Sequence, residues 1–149
     1  MEIKMDSISL KRAVRAGSLI KKERHYFDFM VSNESLRTIL RIENHDLITP
    51  FGWSENREYE AKIIKALTLQ NESDLQEDRV TIYVCPECGD SDCGAVTAKV
   101  FDRGDRIVWQ DFGYETGYGG LTERYTNIQP IEFERNEYFK AFDLIDSAS

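Results

Sequence analysis

The chain has 149 residues, 41% hydrophobic and 31% charged, enough for one globular domain with its own core. A formal charge of −8 argues against sequence-independent nucleic-acid binding, which needs a cationic face to displace counterions. No apolar run is long enough to span a bilayer, the first fifteen residues lack the apolar stretch of a secretory signal, and three cysteines make no paired disulfide framework, so a cytoplasmic protein without a membrane partner is expected.

The charge is unevenly distributed. Residues 1–25 hold seven cations against Glu2, Asp6 and Glu23, a net of +4, which leaves −12 for the remainder. Ile3–Met5 and Ile8–Leu10 suggest a short strand, Lys11–Arg24 a helical turn or a solvated basic loop, and Tyr26–Val31 a clearer strand. Ser32 or Asn33 is placed to cap a helix ending near Ile42, with Leu36, Ile39 and Leu40 on one face. Thr49-Pro50-Phe51-Gly52-Trp53 reads as a loop, because the residue before proline is pushed out of helical geometry. A second helix over 55–69 begins at Ser54 or Asn56. Tyr59, Ile63, Ala66 and Leu67 form its apolar stripe, with Glu55, Glu58 and Glu60 on its solvent side. The polar run Gln70–Asp78 is a connection.

Residues 79–114 organise the chain. Val80–Cys85, Ala95–Phe101 and Ile107–Trp109 are rich in β-branched and aromatic residues and read as strands of an antiparallel meander. Asp102-Arg103-Gly104-Asp105 is a tight turn between the second and third. Gly113–Gly120 combines four glycines with Tyr114 and Tyr118 and reads as a loop offering tyrosine contact area to a partner. Ile128–Phe133 is a further strand, kept near an edge by Pro130. Asn136 caps a last helix over 136–146 with Tyr138, Phe139, Phe142 and Ile145 on its apolar face. The expected fold is a single α+β domain: an antiparallel β-meander with flanking helices near 33–42, 55–69 and 136–146.

All three cysteines lie where the first strand of the meander turns into the second, as Cys85-x2-Cys88-x4-Cys93. Cys-x2-Cys at a turn is the usual half of a zinc site, and Asp90 or Asp92 would have to complete a shell that lacks a fourth thiol or histidine. A reactive thiol is disfavoured, since Glu87, Asp90 and Asp92 would raise a thiolate's pKa. Three reduced thiols packed as small hydrophobes are preferred narrowly over a metal site. The chain has no Gly-x-Ser-x-Gly, no His-Glu-x-x-His and no phosphate-cradling Gly-x4-Gly-Lys-Ser/Thr. His25 and His45 lack an evident nucleophile.

The stretches VCPECGDSDCGAVTAKV (Val84–Val100) and VWQDFGY (Val108–Tyr114) resemble a family of small bacterial proteins with a CxECGDxxCGAVT-type loop between two strands and a W-x-D-F-G-[YW] strand end. Size, acidity and the mixed outline are also similar to bacterial immunity proteins, including those of contact-dependent growth inhibition. That likeness implies a protein that binds and blocks a toxin, often a basic nuclease. The functional expectation is a non-enzymatic protein-binding module for a basic toxin domain, with Tyr114, Glu115, Tyr118, Asp90 and Asp92 as partner-binding residues. The alternative is a zinc- or thiol-dependent, oxidoreductase-like enzyme using Cys85, Cys88 and Cys93.

Overall fold

The structure is a computed structural model that describes residues 5–53, 56–70, 79–87, 94–116 and 120–148, with side chains described as far as 143. Strands β1 (Ile8–Arg15), β2 (Arg24–Val31) and β3 (Glu34–Ser35) are followed by helices α1 (Leu36–Ile39) and α2 (Arg57–Leu67). Then come β4 (Arg79–Val84), β5 (Ala95–Asp102), β6 (Arg106–Thr116), β7 (Gly120–Arg124), β8 (Ile131–Glu134) and helix α3 (Arg135–Ala148). The fold is α+β and every strand ladder is antiparallel: a three-stranded sheet β1-β2-β3 and a five-stranded sheet β4-β5-β6-β7, with β8 also paired to β6.

The expected meander is present, and the sequence expectation needs correction at its ends. Lys11–Arg15 is neither helix nor loop but the second half of β1, paired residue for residue from Ile8↔Val31 to Arg15↔Arg24. The ribbon's twist hides this in the sequence. Ile8 and Val31 are buried on one face while Ser9 is exposed; at the far end Val14 and His25 on that same face are exposed and Arg15 on the other is buried. Ser32 and Asn33 do not cap a helix. Both have positive φ (48° and 70°), as a type I′ turn requires, and join β2 to β3. Ser35 is the cap, its side chain accepting from the Arg37 N–H at 3.2 Å.

Residues Gly113–Thr116 are likewise strand and not loop, because β6 runs eleven residues and pairs with β7 at its far end. A β-bulge makes this possible: Asp111, at φ 55°, is the extra residue between Lys99↔Gln110 and Thr97↔Gly113. The bulge shifts the alternation by one. Ile107 and Trp109 before it and Phe112 after it all enter the main core, while Asp111 turns to the opposite face. Helix α3 begins at Arg135, and the Glu134 carboxylate, not Asn136, accepts the Glu137 N–H at 2.7 Å.

The two sheets share one core around Phe29, which makes edge-on contacts with Phe51, Tyr83 and Trp109. A buried polar thread ties sheet to helices: Trp109 Nε1 donates to Tyr138 Oη at 3.0 Å, and Tyr138 Oη donates to the Leu67 carbonyl at 2.6 Å. A second thread joins the sheets, where Tyr83 Oη and Ser35 Oγ donate to the two carboxylate oxygens of buried Asp28, at 2.7 and 2.6 Å. Glu60 is also buried, against the expectation of a solvent-facing carboxylate, and accepts the Gly52 N–H at 2.7 Å.

Candidate partner-binding site

Three connections leave the framework at one end. Val84 and Ala95, which bound the cysteine loop, are paired, and Ala95 is paired to Glu115 near the end of β6, where Thr116 faces Gly120. The turn end of the β1–β2 hairpin is fastened to this region by Arg15, only 8% exposed. Its guanidinium donates to both Asp46 oxygens (3.1 and 2.6 Å), to Glu87 (2.9 Å) and to the Lys22 carbonyl (2.7 Å). Hydrogen bonding to Arg15 holds the Asp46 and Glu87 carboxyls below their usual range, and the bond to Asp46 raises the Arg15 pKa in return. Arg24 adds a second tie, its Nε donating to the Pro86 carbonyl at 3.0 Å while the guanidinium lies over the Trp53 ring at 4.7 Å. Trp53 packs with Tyr26, Ile48, Val84 and Ala95 as a satellite core beneath this end.

The sheet below is locked by a second arginine. Arg79, at the start of β4, is 1% exposed and sits on the face away from the main core. Its Nε donates to Thr97 Oγ1 (2.8 Å), Nη1 to Asp111 Oδ2 (3.0 Å) and Nη2 to the Thr97 carbonyl (3.0 Å). Glu115 Oε2 lies 3.3 Å from Arg79 Nε and accepts Thr97 Oγ1 at 2.9 Å. Arg124 and Lys99 approach Asp111 from the outside, and the Arg124 hydrogen bond is the main cause of that carboxyl's lowered pKa. The bulge is what aims Asp111 at Arg79. Thr97, Asp111 and Gly113 of the motif stretches are thus parts of one arginine clamp spanning β4, β5 and β6. Gly113 has no room for a side chain, since a Cβ there would lie 2.5 Å from the Glu123 carbonyl and 2.7 Å from Leu121.

The sequence-predicted site residues separate into three groups. Tyr114 is half-buried, its hydroxyl occupying the space that a Cβ on Gly94 would need, so the tyrosine lies across the exit of the cysteine loop. Glu115 is 5% exposed with its carboxylate turned to Arg79 and Thr97, so it is a member of the clamp and offers no charge to the surface. Asp90, Asp92, Tyr118, Cys88 and Cys93 lie outside the described residues. Cys85 is half-buried just beyond β4. Among the described residues no group of three or more His, Cys, Asp or Glu side chains is arranged to hold a metal ion. His25 is exposed beside Glu23 at 3.1 Å, and His45 is exposed at a turn. Arg15 and Arg79, which sequence reasoning passed over, organise the end. The signal available was the apolar setting of Arg79, between a polar run and VTIYV.

Comparisons with known proteins give no match: no family model, no curated protein and no solved structure aligns with this chain. Among the described residues no helix is long and apolar enough to cross a membrane.

Proposed function

We propose that the protein is a non-enzymatic binding module for a basic macromolecule, an immunity-type inhibitor that occupies a cationic toxin domain such as a nuclease. One observation carries this reading: β4 is fixed at both ends, by Arg79 at its start and by the Arg15–Glu87 pair just past its end, and the two connections that flank it are wholly acidic. Residues 71–78 and 88–93 together hold six carboxylates and no cation. Acidic segments held on a rigid strand suit a basic surface and speed the encounter with it. Exposed carboxylates at Glu34, Glu43, Glu58, Glu123 and Glu137 extend the negative surface. Many other carboxylates are engaged internally, so the functional charge is concentrated in these connections and not spread over the whole body.

The test is surface plasmon resonance of the full chain against basic toxin domains encoded beside its gene. Binding is expected, with an association rate that falls steeply as salt rises and that drops in an Asp90→Asn/Asp92→Asn variant. Failure to bind any such domain at low salt overturns the proposal.

A further inference from the structure

We infer that the end of the β1–β2 hairpin is a docking finger for anionic lipid surfaces, a peripheral contact and not a spanning one. The apex is an ordered turn. Ser18 N donates to the Lys21 carbonyl at 2.8 Å, and Ser18 Oγ accepts the N–H groups of Ile20 (3.3 Å) and Lys21 (3.1 Å). Gly17 narrows the neck, since a Cβ there would lie 2.9 Å from the Glu23 nitrogen. At the two central positions of this turn, where glycine, asparagine or aspartate would be usual, stand Leu19 and Ile20. They are 107% and 90% exposed, and with Val14 at 56% the hairpin holds three of the four exposed large hydrophobic side chains among the described residues. A local rule broken at the most prominent point of an otherwise well-packed chain marks a working surface.

The surrounding charge selects the occupant. Residues 11–25 hold six cations against Glu23. Arg15 is buried and engaged by Asp46 and Glu87, Asp46 also lies 3.7 Å from Lys21, and Asp28 stands opposite Lys11 in the register. The hairpin keeps a net positive charge after these four carboxylates are counted. Two exposed aliphatic side chains followed directly by exposed Lys21 and Lys22 complement a surface that is apolar beneath an anionic layer. A protein groove is the poorer fit. A two-residue apex buries far less than the roughly 1,000 Å² that a specific protein interface needs, whereas a lipid surface requires no matched shape. Repulsion of the acidic body by the same surface is screened beyond about 10 Å at 0.1 M salt. The Arg15 and Arg24 ties at the root hold the finger in a fixed direction.

The experiment is flotation of the full chain with vesicles of phosphatidylcholine alone or mixed with phosphatidylglycerol, at about 0.1 M salt for the low arm and about 1 M for the high arm. Binding is expected only with phosphatidylglycerol and is lost at high salt. Lys21→Glu/Lys22→Glu and Leu19→Ser/Ile20→Ser variants are each expected to weaken it about tenfold or more, at roughly fivefold per basic residue. These are exposed positions, so circular dichroism should show unchanged folds. A Leu19→Trp variant, read as a difference spectrum against the parent, should shift its emission to the blue on phosphatidylglycerol vesicles. No flotation of the parent at low salt overturns the inference, as does undiminished flotation of the serine variant. Should the parent ignore vesicles while the serine variant loses a toxin-domain complex, the finger belongs to a protein partner and the lipid assignment is wrong.

Discussion

Arg79 and Asp111 lie thirty-two residues apart in the chain, yet Nη1 of one donates to Oδ2 of the other at 3.0 Å across β5. The contact exists because a single extra residue in β6 turns the Asp111 carboxylate away from the core. Around it Thr97 and Glu115 complete the donors' partners, so the guanidinium is buried with its hydrogen bonds met. A clamp of this kind holds β4, β5 and β6 in register between the two acidic connections that flank β4.

Removal of one member should therefore be costly. Arg79→Ala leaves buried Glu115 without its cation, and Asp111 with only Arg124 and Lys99, and is expected to lose about 3–5 kcal/mol in urea unfolding. Arg79→Lys should recover little of it, because an ammonium cannot span Thr97, Asp111 and Glu115 together. A loss below 1 kcal/mol in the alanine variant would mean that the clamp does not hold the sheet.

Acid should weaken the fold through the same groups. The Asp111 carboxyl is held below its ordinary value by Arg124 and Arg79, and Asp46 by Arg15. A depressed folded-state pKa gives stability that is present above the unfolded value near 3.8 and is lost as pH falls through the folded value. The urea midpoint should hold steady from pH 7 to about 5 and then decline toward pH 3. Asp111→Asn keeps a residue that tolerates positive φ and should flatten that decline while lowering stability at neutral pH.

At alkaline pH the buried phenols report the opposite sign. Burial raises Tyr83 and Tyr138 well above the usual tyrosine value, and Asp28 adds to the effect at Tyr83. The folded state favours their neutral forms, so stability is complete below pH 10 and erodes as the unfolded chain begins to ionise. In a spectrophotometric titration these two of the seven tyrosines should stay silent until the chain unfolds. Ionisation of all seven in one step near pH 10 without unfolding would contradict the placement.

Gly94 and Tyr114 form the simplest steric test. Gly94 has φ 115°, and an alanine Cβ would meet the Tyr114 hydroxyl. Gly94→Ala is expected to cost about 1–3 kcal/mol from backbone strain alone, with the clash added. Tyr114→Ala in the same chain should relieve the clash but not the strain, so the double-mutant cycle should show a coupling above about 0.5 kcal/mol.

Much of this architecture was legible in the chain. The β-branched runs on either side of the cysteine loop, the Asp-Arg-Gly-Asp turn and the apolar stripes of α2 and α3 each announce a regular element whose period survives along its length. What escaped was where the period breaks. The β1–β2 ribbon exchanges its buried and exposed faces halfway, so Lys11–Arg15 shows no alternation. The β6 bulge shifts phase at Asp111, so Trp109 and Phe112, three apart, both point inward. Glycine misled at Gly113, where it marks the close passage of β7 and not a loop. Buried carboxylates at Glu60 and Glu115 looked like surface charge because the partners that draw them inward are the Gly52 backbone and Arg79, eight and thirty-six positions away.

Strand β6 serves two neighbours on the same flank, end to end: Arg106–Trp109 pairs with β8 and Gly113–Thr116 with β7. Between these ladders the chain passes through Tyr125, whose N–H reaches the Phe112 carbonyl at 2.8 Å, and then through exposed Thr126 and Asn127. Each ladder takes its register from β6 independently, so Thr126–Asn127 is a seam. A chain opened there would keep both halves indexed to the same template, and the part from residue 128 onward could be supplied as a separate peptide that docks by completing a sheet already in place.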